Sequence, residues 1–187
     1  VVVTGEPEQA NDVLYVDNDN RRAGEDASNL LVSHFNLKAP LFVRTLADWR
    51  YERNRELGFH VVVPDGHVLS LPVDFQEQKQ VLQHYFEQHQ EVDGLIASDD
   101  KIGYLARQQA QAHLKRHSKL PTIAFNRSEY ARLGGKYFYS VDVLPRSLGS
   151  EAVRLLFNDQ RSLLEQTKAT SVIVPYCLPD LGDDECR

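Results

Sequence analysis

The sequence predicts an α/β fold built on a mainly parallel sheet, because short apolar segments alternate with helical segments along its 187 residues. Two observations support this prediction. The runs Leu95-Ile96-Ala97 and Thr122-Ile123-Ala124-Phe125 are short and largely apolar, which is typical of strands buried on both faces. Polar residues follow each run at once, and after the first run a long segment has apolar residues at helical spacing. We count about seven such strands and no internal repeat beyond the alternation.

The amino-terminal part of the chain begins this alternation. The β-branched run 1–3 predicts a strand, and the Gly and Pro that follow it predict a loop. Residues 13–16 predict a second strand. The polar cluster Asp17-Asn18-Asp19-Asn20 can cap a helix, and apolar residues recur at helical spacing through residues 21–35. Lys38-Ala39-Pro40 then ends this predicted helix.

The middle of the chain continues the same pattern. Residues 41–43 predict a strand, and residues 47–59 predict a helix rich in arginine. The run Val61-Val62-Val63 predicts the next strand, which the turn residues Pro64-Asp65-Gly66 close. Residues 75–89 have the apolar spacing of another helix.

The carboxy-terminal part adds the remaining elements. A helix over residues 101–115 follows the strand 95–97, and residues 137–143 predict a strand or an extended crossing. Pro145 stands where the first turn of a helix favours proline. Residues 171–175 predict a last strand, and the acidic residues that follow Leu181 predict a frayed tail.

Composition excludes several classes of protein. The formal net charge of −6 argues against a chain that grips nucleic-acid phosphates by itself. No apolar run approaches the roughly 20 residues that a transmembrane helix needs. Cys177 and Cys186 do not form a disulfide framework, so a reduced cytoplasmic setting fits the sequence.

The start of the chain predicts that part of the fold is missing. It opens within a predicted strand, lacks the pattern of a signal peptide, and the whole sequence contains no methionine. We therefore expect the first part of the fold to be incomplete and methionines to be absent from the sequence as given.

Polar side chains cluster where predicted strands end. Ser98, Asp99 and Asp100 follow directly on the strand 95–97, and ligands of open α/β sheets bind outside the carboxyl ends of parallel strands. Three oxygen-bearing side chains suit a polyol, the edge of a base or a cation. The alternative is that one of them merely caps the next helix.

Further candidates lie at other strand ends and on the arginine-rich helix. Asp17 and Asp19 end the second strand, where capping is again the alternative to ligand binding. Arg53 and Arg55 are two residues apart and therefore face different ways, so one of them can reach a cleft and bind hydroxyl or carboxylate oxygens. The amide of Asn126, after the strand 122–125, both donates and accepts hydrogen bonds, which suits a sugar hydroxyl.

Motifs for common catalytic or metal chemistry are missing from the sequence. There is no glycine-rich phosphate loop and no G-x-S-x-G nucleophile motif. The histidine pairs His84/His89 and His113/His117 could contribute to a zinc site, but the spacing supplies no third ligand. We expect no catalytic residue, no metal ligand and no cofactor.

The order of these motifs resembles the effector-binding core of lactose-repressor-type (LacI/GalR family) transcription regulators. The resemblance extends over residues 1–179 and rests on five loose motifs in the family's order. They are Val16-Asp17-Asn18 with Ala23-Gly24, Arg55-Glu56-Leu57-Gly58-Phe59, Asp93-Gly94-Leu95-Ile96-Ala97-Ser98-Asp99-Asp100, Thr122-Ile123-Ala124-Phe125-Asn126, and Tyr139-Ser140-Val141 with Leu148-Gly149. Two departures concern the ligand: Asn126 stands where the family usually has Asp, and Val143 lies near a position often held by Gln.

The resemblance implies two Rossmann-like lobes with parallel sheets, similar to type I periplasmic binding proteins, with an incomplete amino-terminal lobe. It assigns 1–36 to that lobe, 37–140 to the carboxy-terminal lobe, 141–160 to a crossing and returning helix, 161–180 to the final crossing and last strand, and 181–187 to a tail. It places five residues at ligand-contacting positions: Asp19, Arg55, Ser98, Asp99 and Asn126. Asp17 joins them through its place at the same strand end.

The function implied by the resemblance is effector sensing without catalysis in a cytoplasmic regulator. A small effector, a sugar or a related metabolite, would bind between the lobes of a homodimer. An upstream helix-turn-helix that is not present in this chain would contact operator DNA. One alternative is a periplasmic solute receptor of a transporter, which shares this fold. A second alternative is an α/β enzyme that uses Asp99 and Asp100 as metal-binding or acid–base carboxylates.

Overall fold

The computed structural model describes residues 1–8, 13–115, 119–157 and 171–182, and these residues form eight strands and six helices. In chain order they are β1 (Val2–Thr4), β2 (Leu14–Asp17), α1 (Asn20–Phe35), β3 (Pro40–Thr45), α2 (Arg50–Val62), β4 (His67–Leu71), α3 (Phe75–Gln88), β5 (Gly94–Ala97), α4 (Asp100–His113), β6 (Thr122–Phe125), α5 (Glu129–Leu133), β7 (Phe138–Val141), α6 (Pro145–Phe157) and β8 (Ser171–Ile173).

The strands form two separate sheets, and every strand pair within them is parallel. The small sheet has the order β1-β2-β8, and the large sheet has the order β4-β3-β5-β6-β7. The prediction of an α/β fold with parallel sheets is therefore confirmed. In the large sheet the chain winds outward in both directions from the boundary between β3 and β5, which makes that boundary the point where ligands bind in doubly wound folds.

Alternation of side chains along the central strands builds the core on both faces of the large sheet. Leu41 and Val43 pack towards α3 and α4 with Leu95, whereas Phe42 and Ile96 pack on the opposite face. All five are fully buried. Continuous apolar runs therefore form these strands because helices cover both faces.

Helix α1 packs on the large sheet, whereas the predicted division placed it with the amino-terminal lobe. Ala23, Ala27 and Leu31 share a buried cluster with Ile96 and Phe125 of the large sheet. The sequence-based division assigned residues 1–36 to one lobe, but the apolar face of α1 is buried against the other. We call α1 to α5 with the large sheet the large lobe, and the small sheet with α6 the small lobe.

Helix α6 covers the small sheet. Ala152 and Leu155 of this helix pack against Val16 of β2 and against Val174, which follows β8. The chain thus returns from the large lobe to the small lobe after β7. Some predictions lie outside the described residues. They concern residues 158–170, most of the predicted tail, His117 and Cys186.

The predicted strand over Val61-Val62-Val63 is wrong. Helix α2 continues to Val62, and the strand is instead β4, His67–Leu71, which pairs with β3. The partly polar sequence of β4 conceals it, because β4 is an edge strand whose residues are mostly half-buried or exposed. Helix α5, five residues long, was not predicted.

None of the helices in the described ranges combines the length and the apolar character that a bilayer span requires.

Candidate functional site

A cleft of about 520 Å³ opens between the two lobes. Its volume falls within the range of roughly 300–1,000 Å³ that is usual for small-molecule sites. The small lobe contributes the loop after β1 and the end of β2, while the large lobe contributes the start of α2 and the end of β6. The lining residues are Thr4, Gly5, Glu6, Pro7, Glu8, Asp17, Asn18, Asn20, Trp49, Arg50, Tyr51, Arg55, Asn126, Val143 and Leu148.

Arg55 lies at the floor of this cleft and is only 4% exposed. Its Nε donates to Oδ1 of Asn20 at 3.0 Å, and its Nη1 donates to the carbonyl oxygen of Ser98 at 2.6 Å. The guanidinium carbon lies 4.1 Å from the centre of the Phe125 ring and 5.0 Å from that of Tyr51. These contacts fix the plane of the guanidinium before any ligand arrives.

Arg55 stays protonated at neutral pH although burial lowers its pKa. Loss of hydration lowers the pKa of Arg55 to about 10, while the negative charges of Asp17 and Asp99 act in the opposite direction. The side chain therefore remains a cation at neutral pH. A fixed, partly dehydrated cation binds ligand oxygens more strongly than a solvated one, because less water has to be displaced.

Ser98 supports Arg55 from below the cleft surface. It is fully buried, its carbonyl accepts from Arg55, and its Oγ donates to Oε1 of Glu52 at 2.8 Å. In this arrangement the hydroxyl of Ser98 is used inside the protein and does not line the cleft. A direct contact between Ser98 and a ligand stays a prediction.

Asp17 and Asn126 line the same cleft as Arg55. Oδ2 of Asp17 accepts from the backbone N–H of Glu6 at 2.9 Å, which ties the loop after β1 to the end of β2. Asn126 is exposed and has a φ of 98°, a left-handed conformation that L-residues rarely adopt. The structure thus brings three of the predicted ligand-binding residues to one cavity.

Asp19 and Asp99 act as helix caps. A side-chain oxygen of Asp19 accepts from the N–H of Arg22 at 2.9 Å, and Asp99 accepts from the N–H of Ile102 at 2.9 Å. Asp19 also lines a smaller depression of about 240 Å³ beside the main cleft. The capping alternative is thus observed for both residues, and their contact with a ligand remains a prediction.

Asp100 has a structural role at the edge of the site. Its Oδ2 accepts from the N–H of Ser128 at 2.6 Å, and its Oδ1 accepts from Oγ of Ser140 at 2.6 Å. Burial raises the pKa of Asp100, while these hydrogen bonds lower it. The carboxylate therefore holds the loop that follows β6 and presents Asn126.

Within the described ranges, no group of three or more His, Cys, Asp or Glu side chains could hold a metal ion.

Ion pairs connect the two lobes at the rim of the cleft. Glu6 accepts from Arg50 at 2.8 Å and from Asn54 at 3.0 Å, and Glu8 accepts from Arg53 at 2.7 Å. Arg53 therefore points towards the rim while Arg55 points to the floor, as their two-residue separation predicted. The acidic residues come from the small lobe and their partners from α2.

Several residues of the site were not predicted from the sequence. Trp49, Arg50 and Tyr51 form the start of α2 and line the cleft. Asn20, which was predicted only as part of a capping cluster, holds Arg55. The single tryptophan of the sequence was the one available signal, because tryptophan is enriched at interfaces.

The two lobes with parallel sheets and the cleft between them define a fold of the type I periplasmic-binding-protein-like class. Solved structures agree with this class. The chain is similar to a transcriptional regulator CelR–cellobiose complex, with a TM-score of 0.77 and 18% sequence identity over 96% of this chain and 57% of that chain. It is also similar to a LacI family transcriptional regulator from Enterococcus faecium with bound ribose, with a TM-score of 0.71 and 16% identity over 96% of this chain and 68% of that chain.

A transport protein has the same fold. An ABC transporter periplasmic solute binding protein from Actinobacillus succinogenes 130z with bound D-allose matches with a TM-score of 0.66 and 17% identity, over 90% of this chain and 62% of that chain. The chain thus spans less than two thirds of the length of this protein and of the CelR structure. No family model matches the sequence, and no curated protein is significantly similar to it. At these identities the similarity establishes the fold.

Proposed function

We propose that the chain is the ligand-sensing domain of a bacterial LacI/GalR-type transcriptional regulator and binds a sugar or related metabolite between its lobes. The observation that carries the proposal is the buried guanidinium of Arg55, which is fixed at the floor of an interlobe cleft. The sugars named for the similar proteins, cellobiose, ribose and D-allose, support a polyhydroxylated ligand.

The proposed contacts follow from the chemistry of the lining residues. Arg55 donates to ligand hydroxyl oxygens, Asp17 accepts from ligand hydroxyls, and the amide of Asn126 does both. Asp19, Ser98 and Asp99 complete the proposed set, and each would have to combine ligand contact with the internal hydrogen bond that it already makes. No reaction is proposed, because nothing in this set needs to act as a nucleophile or base.

Ligand binding would be coupled to the relative position of the lobes. A ligand held by residues of both lobes binds better to the closed arrangement, and it shifts the population towards that arrangement in proportion to its differential affinity. In a cytoplasmic homodimer, this motion would change the spacing of the DNA-binding heads attached upstream. The changed spacing would in turn change the affinity of the dimer for operator DNA.

The second candidate is a periplasmic solute receptor of a transporter, which the similarity to the D-allose-bound protein favours. The two functions share the fold and the cleft, so they differ only in what precedes the core. A helix-turn-helix encoded upstream of Val1 would favour the regulator, whereas a signal peptide at that place would favour the receptor.

The test of the sugar site is isothermal titration calorimetry of the protein and of its Arg55→Ala variant with a panel of neutral sugars. Charge-assisted hydrogen bonds contribute roughly 1.5–3 kcal/mol each. We therefore expect Arg55→Ala to weaken binding by about ten- to a hundredfold or more, since about 1.4 kcal/mol corresponds to a factor of ten.

Controls separate binding from folding in this experiment. Arg55 is buried, so the alanine variant also loses some stability, and Arg55→Lys keeps a cation with poorer geometry and should bind with intermediate affinity. Arg132→Ala removes an exposed arginine of α5 and should bind like the unmodified protein. Equal affinities for the Arg55→Ala and Arg132→Ala variants would contradict the proposed site.

A further inference from the structure

Trp49 is an exposed aromatic ring on a rigid support. It is the single tryptophan of the sequence, lines the cleft and is 59% exposed. Its backbone is fixed because its N–H donates to Oε2 of Glu52 at 3.3 Å and its carbonyl accepts from the N–H of Glu52 at 2.9 Å. A large apolar surface that is held in place but left uncovered at the mouth of a cleft indicates that a ligand covers it.

The position of Trp49 relative to Arg55 sets the size of that ligand. Trp49 lies six positions before Arg55 at the start of α2, and at 1.5 Å per residue their backbones are about 9 Å apart along the helix axis. This separation leaves room in the cleft beyond one sugar ring bound at the floor by Arg55, Asp17 and Asn126. A second ring joined to the first extends the ligand towards Trp49.

The charges around Trp49 favour an uncharged ligand. Arg50, the neighbour of Trp49, already pairs with Glu6 at 2.8 Å. Arg53, one turn further along α2, pairs with Glu8 at 2.7 Å. An acidic or phosphorylated sugar at this end of the cleft would have to break these pairs or lie beside their carboxylates.

We propose, resting on the sugar-binding function proposed above, that the cleft binds a neutral sugar of at least two rings, with the second ring stacked on the indole of Trp49. The first ring lies at the polar floor beside Arg55, and the apolar C–H face of the second ring covers the exposed aromatic surface. Trp49 thereby determines the preference for disaccharides over monosaccharides.

The experiment compares matched sugars by calorimetry and by the fluorescence of the single tryptophan. The probes are glucose against maltose and cellobiose, and galactose against lactose. For at least one pair, we expect the disaccharide to bind about tenfold more tightly, which equals about 1.4 kcal/mol. Only the disaccharide should shift the Trp49 emission to shorter wavelength, because the second ring removes the indole from water.

Variants of the ring isolate its contribution. Trp49→Ala keeps the backbone cap from Glu52 and should remove about tenfold of the disaccharide affinity while monosaccharide affinity changes little. Trp49→Phe keeps an aromatic face and should retain most of the preference. Leu46→Ala removes another exposed apolar side chain that does not line the cleft, so it should change neither affinity.

The outcomes distinguish this inference from the proposed function. Monosaccharide binding that depends on Arg55, without a gain for any disaccharide, would overturn the role of Trp49 and leave the sugar-sensing function standing. Equal losses for both sugars in Trp49→Ala would likewise overturn the second-ring contact. Absence of binding for every probe in the panel would overturn both proposals.

Discussion

Glu52 is a fully buried carboxylate that organises the point where the large sheet changes direction. It accepts from the N–H and Oγ1 of Thr45 at 3.0 and 2.8 Å, from the N–H of Trp49 at 3.3 Å and from Oγ of Ser98 at 2.8 Å. These donors belong to the ends of β3 and β5 and to the start of α2. One side chain therefore joins the three elements that support Arg55 and Trp49.

Removal of this carboxylate should destabilise the protein. Glu52→Ala leaves the buried hydroxyl of Ser98 and three part-buried donors without this acceptor, and each buried unsatisfied group costs about 1–3 kcal/mol. We expect a loss of about 3 kcal/mol in the free energy of unfolding measured by urea denaturation, and a smaller loss for Glu52→Gln, which keeps one acceptor.

The matched control is Glu77→Ala, which removes an exposed glutamate of α3. Its free energy of unfolding should stay within about 0.5 kcal/mol of the unmodified protein. A similar small effect for Glu52→Ala would mean that water satisfies these donors and that Glu52 does not organise the site.

Single residues of the site could be predicted from the sequence where a local pattern marks them. Asp17, Arg55 and Asn126 were predicted from strand ends and motif order, and all three line the cleft. Glu52 was not predicted, because its partner Ser98 lies 46 residues away and nothing near Glu52 in the sequence marks the contact. Trp49 lines the cleft because α2 begins at Arg50, directly after it. Only the three-dimensional structure shows that this end of α2 lies at the cleft.

Two helices approach each other closely where they carry glycine. A Cβ atom on Gly58 of α2 would lie 2.1 Å from the carbonyl oxygen of Arg21, and one on Gly24 of α1 would lie 2.3 Å from that of Arg55. Real Cβ atoms do not come this near to backbone oxygen. The contact places α1 directly against the turn of α2 that carries Arg55.

Gly58→Ala should therefore force α1 and α2 apart. Overpacking of this kind costs typically about 1–3 kcal/mol, and we expect a lower urea midpoint together with weaker sugar binding, because Arg55 moves with α2. Gly149→Ala is the control, since nothing lies within 4 Å of a Cβ there and the helix propensity of alanine should stabilise α6. Unchanged stability of Gly58→Ala would contradict the close packing.

Elements were predicted well where a strand is buried on both faces. Strands β3, β5 and β6 were recognised from their apolar runs. The edge strand β4 was not, because its sequence His67-Val68-Leu69-Ser70-Leu71 mixes polar and apolar residues, whereas the valines at 61–63 imitate a strand. At this point the amphipathic continuation of α2 prevails over the β propensity of valine.

At the scale of the whole molecule, the sequence predicted the class of fold but not which lobe each element joins. Alternating strands and helices predict parallel sheets, yet the same alternation occurs in both lobes. The packing of α1 depends on the close contact between Gly24 of α1 and Gly58 of α2, which are distant in sequence. The boundary between the lobes therefore became visible only in the structure.

The arrangement of both lobes around one cleft predicts that a bound sugar stabilises them together. Glu6 and Asp17 of the small lobe and Arg55 and Asn126 of the large lobe line the same cavity. A ligand that binds only the folded, assembled cleft stabilises it by about 2.7 kcal/mol at a free concentration one hundred times its Kd. For a chain of this length, that corresponds to a rise in Tm of roughly 5–10 °C.

Differential scanning calorimetry with the tightest-binding sugar of the panel measures this rise. We expect a single transition that moves upward with ligand concentration, because loss of either lobe destroys the site. In Arg55→Ala the shift at the same sugar concentration should be several-fold smaller, in keeping with its weaker affinity. If the sugar binds by titration but moves only one of two separate transitions, then one lobe alone holds the ligand, and the cleft between the lobes is not the binding site.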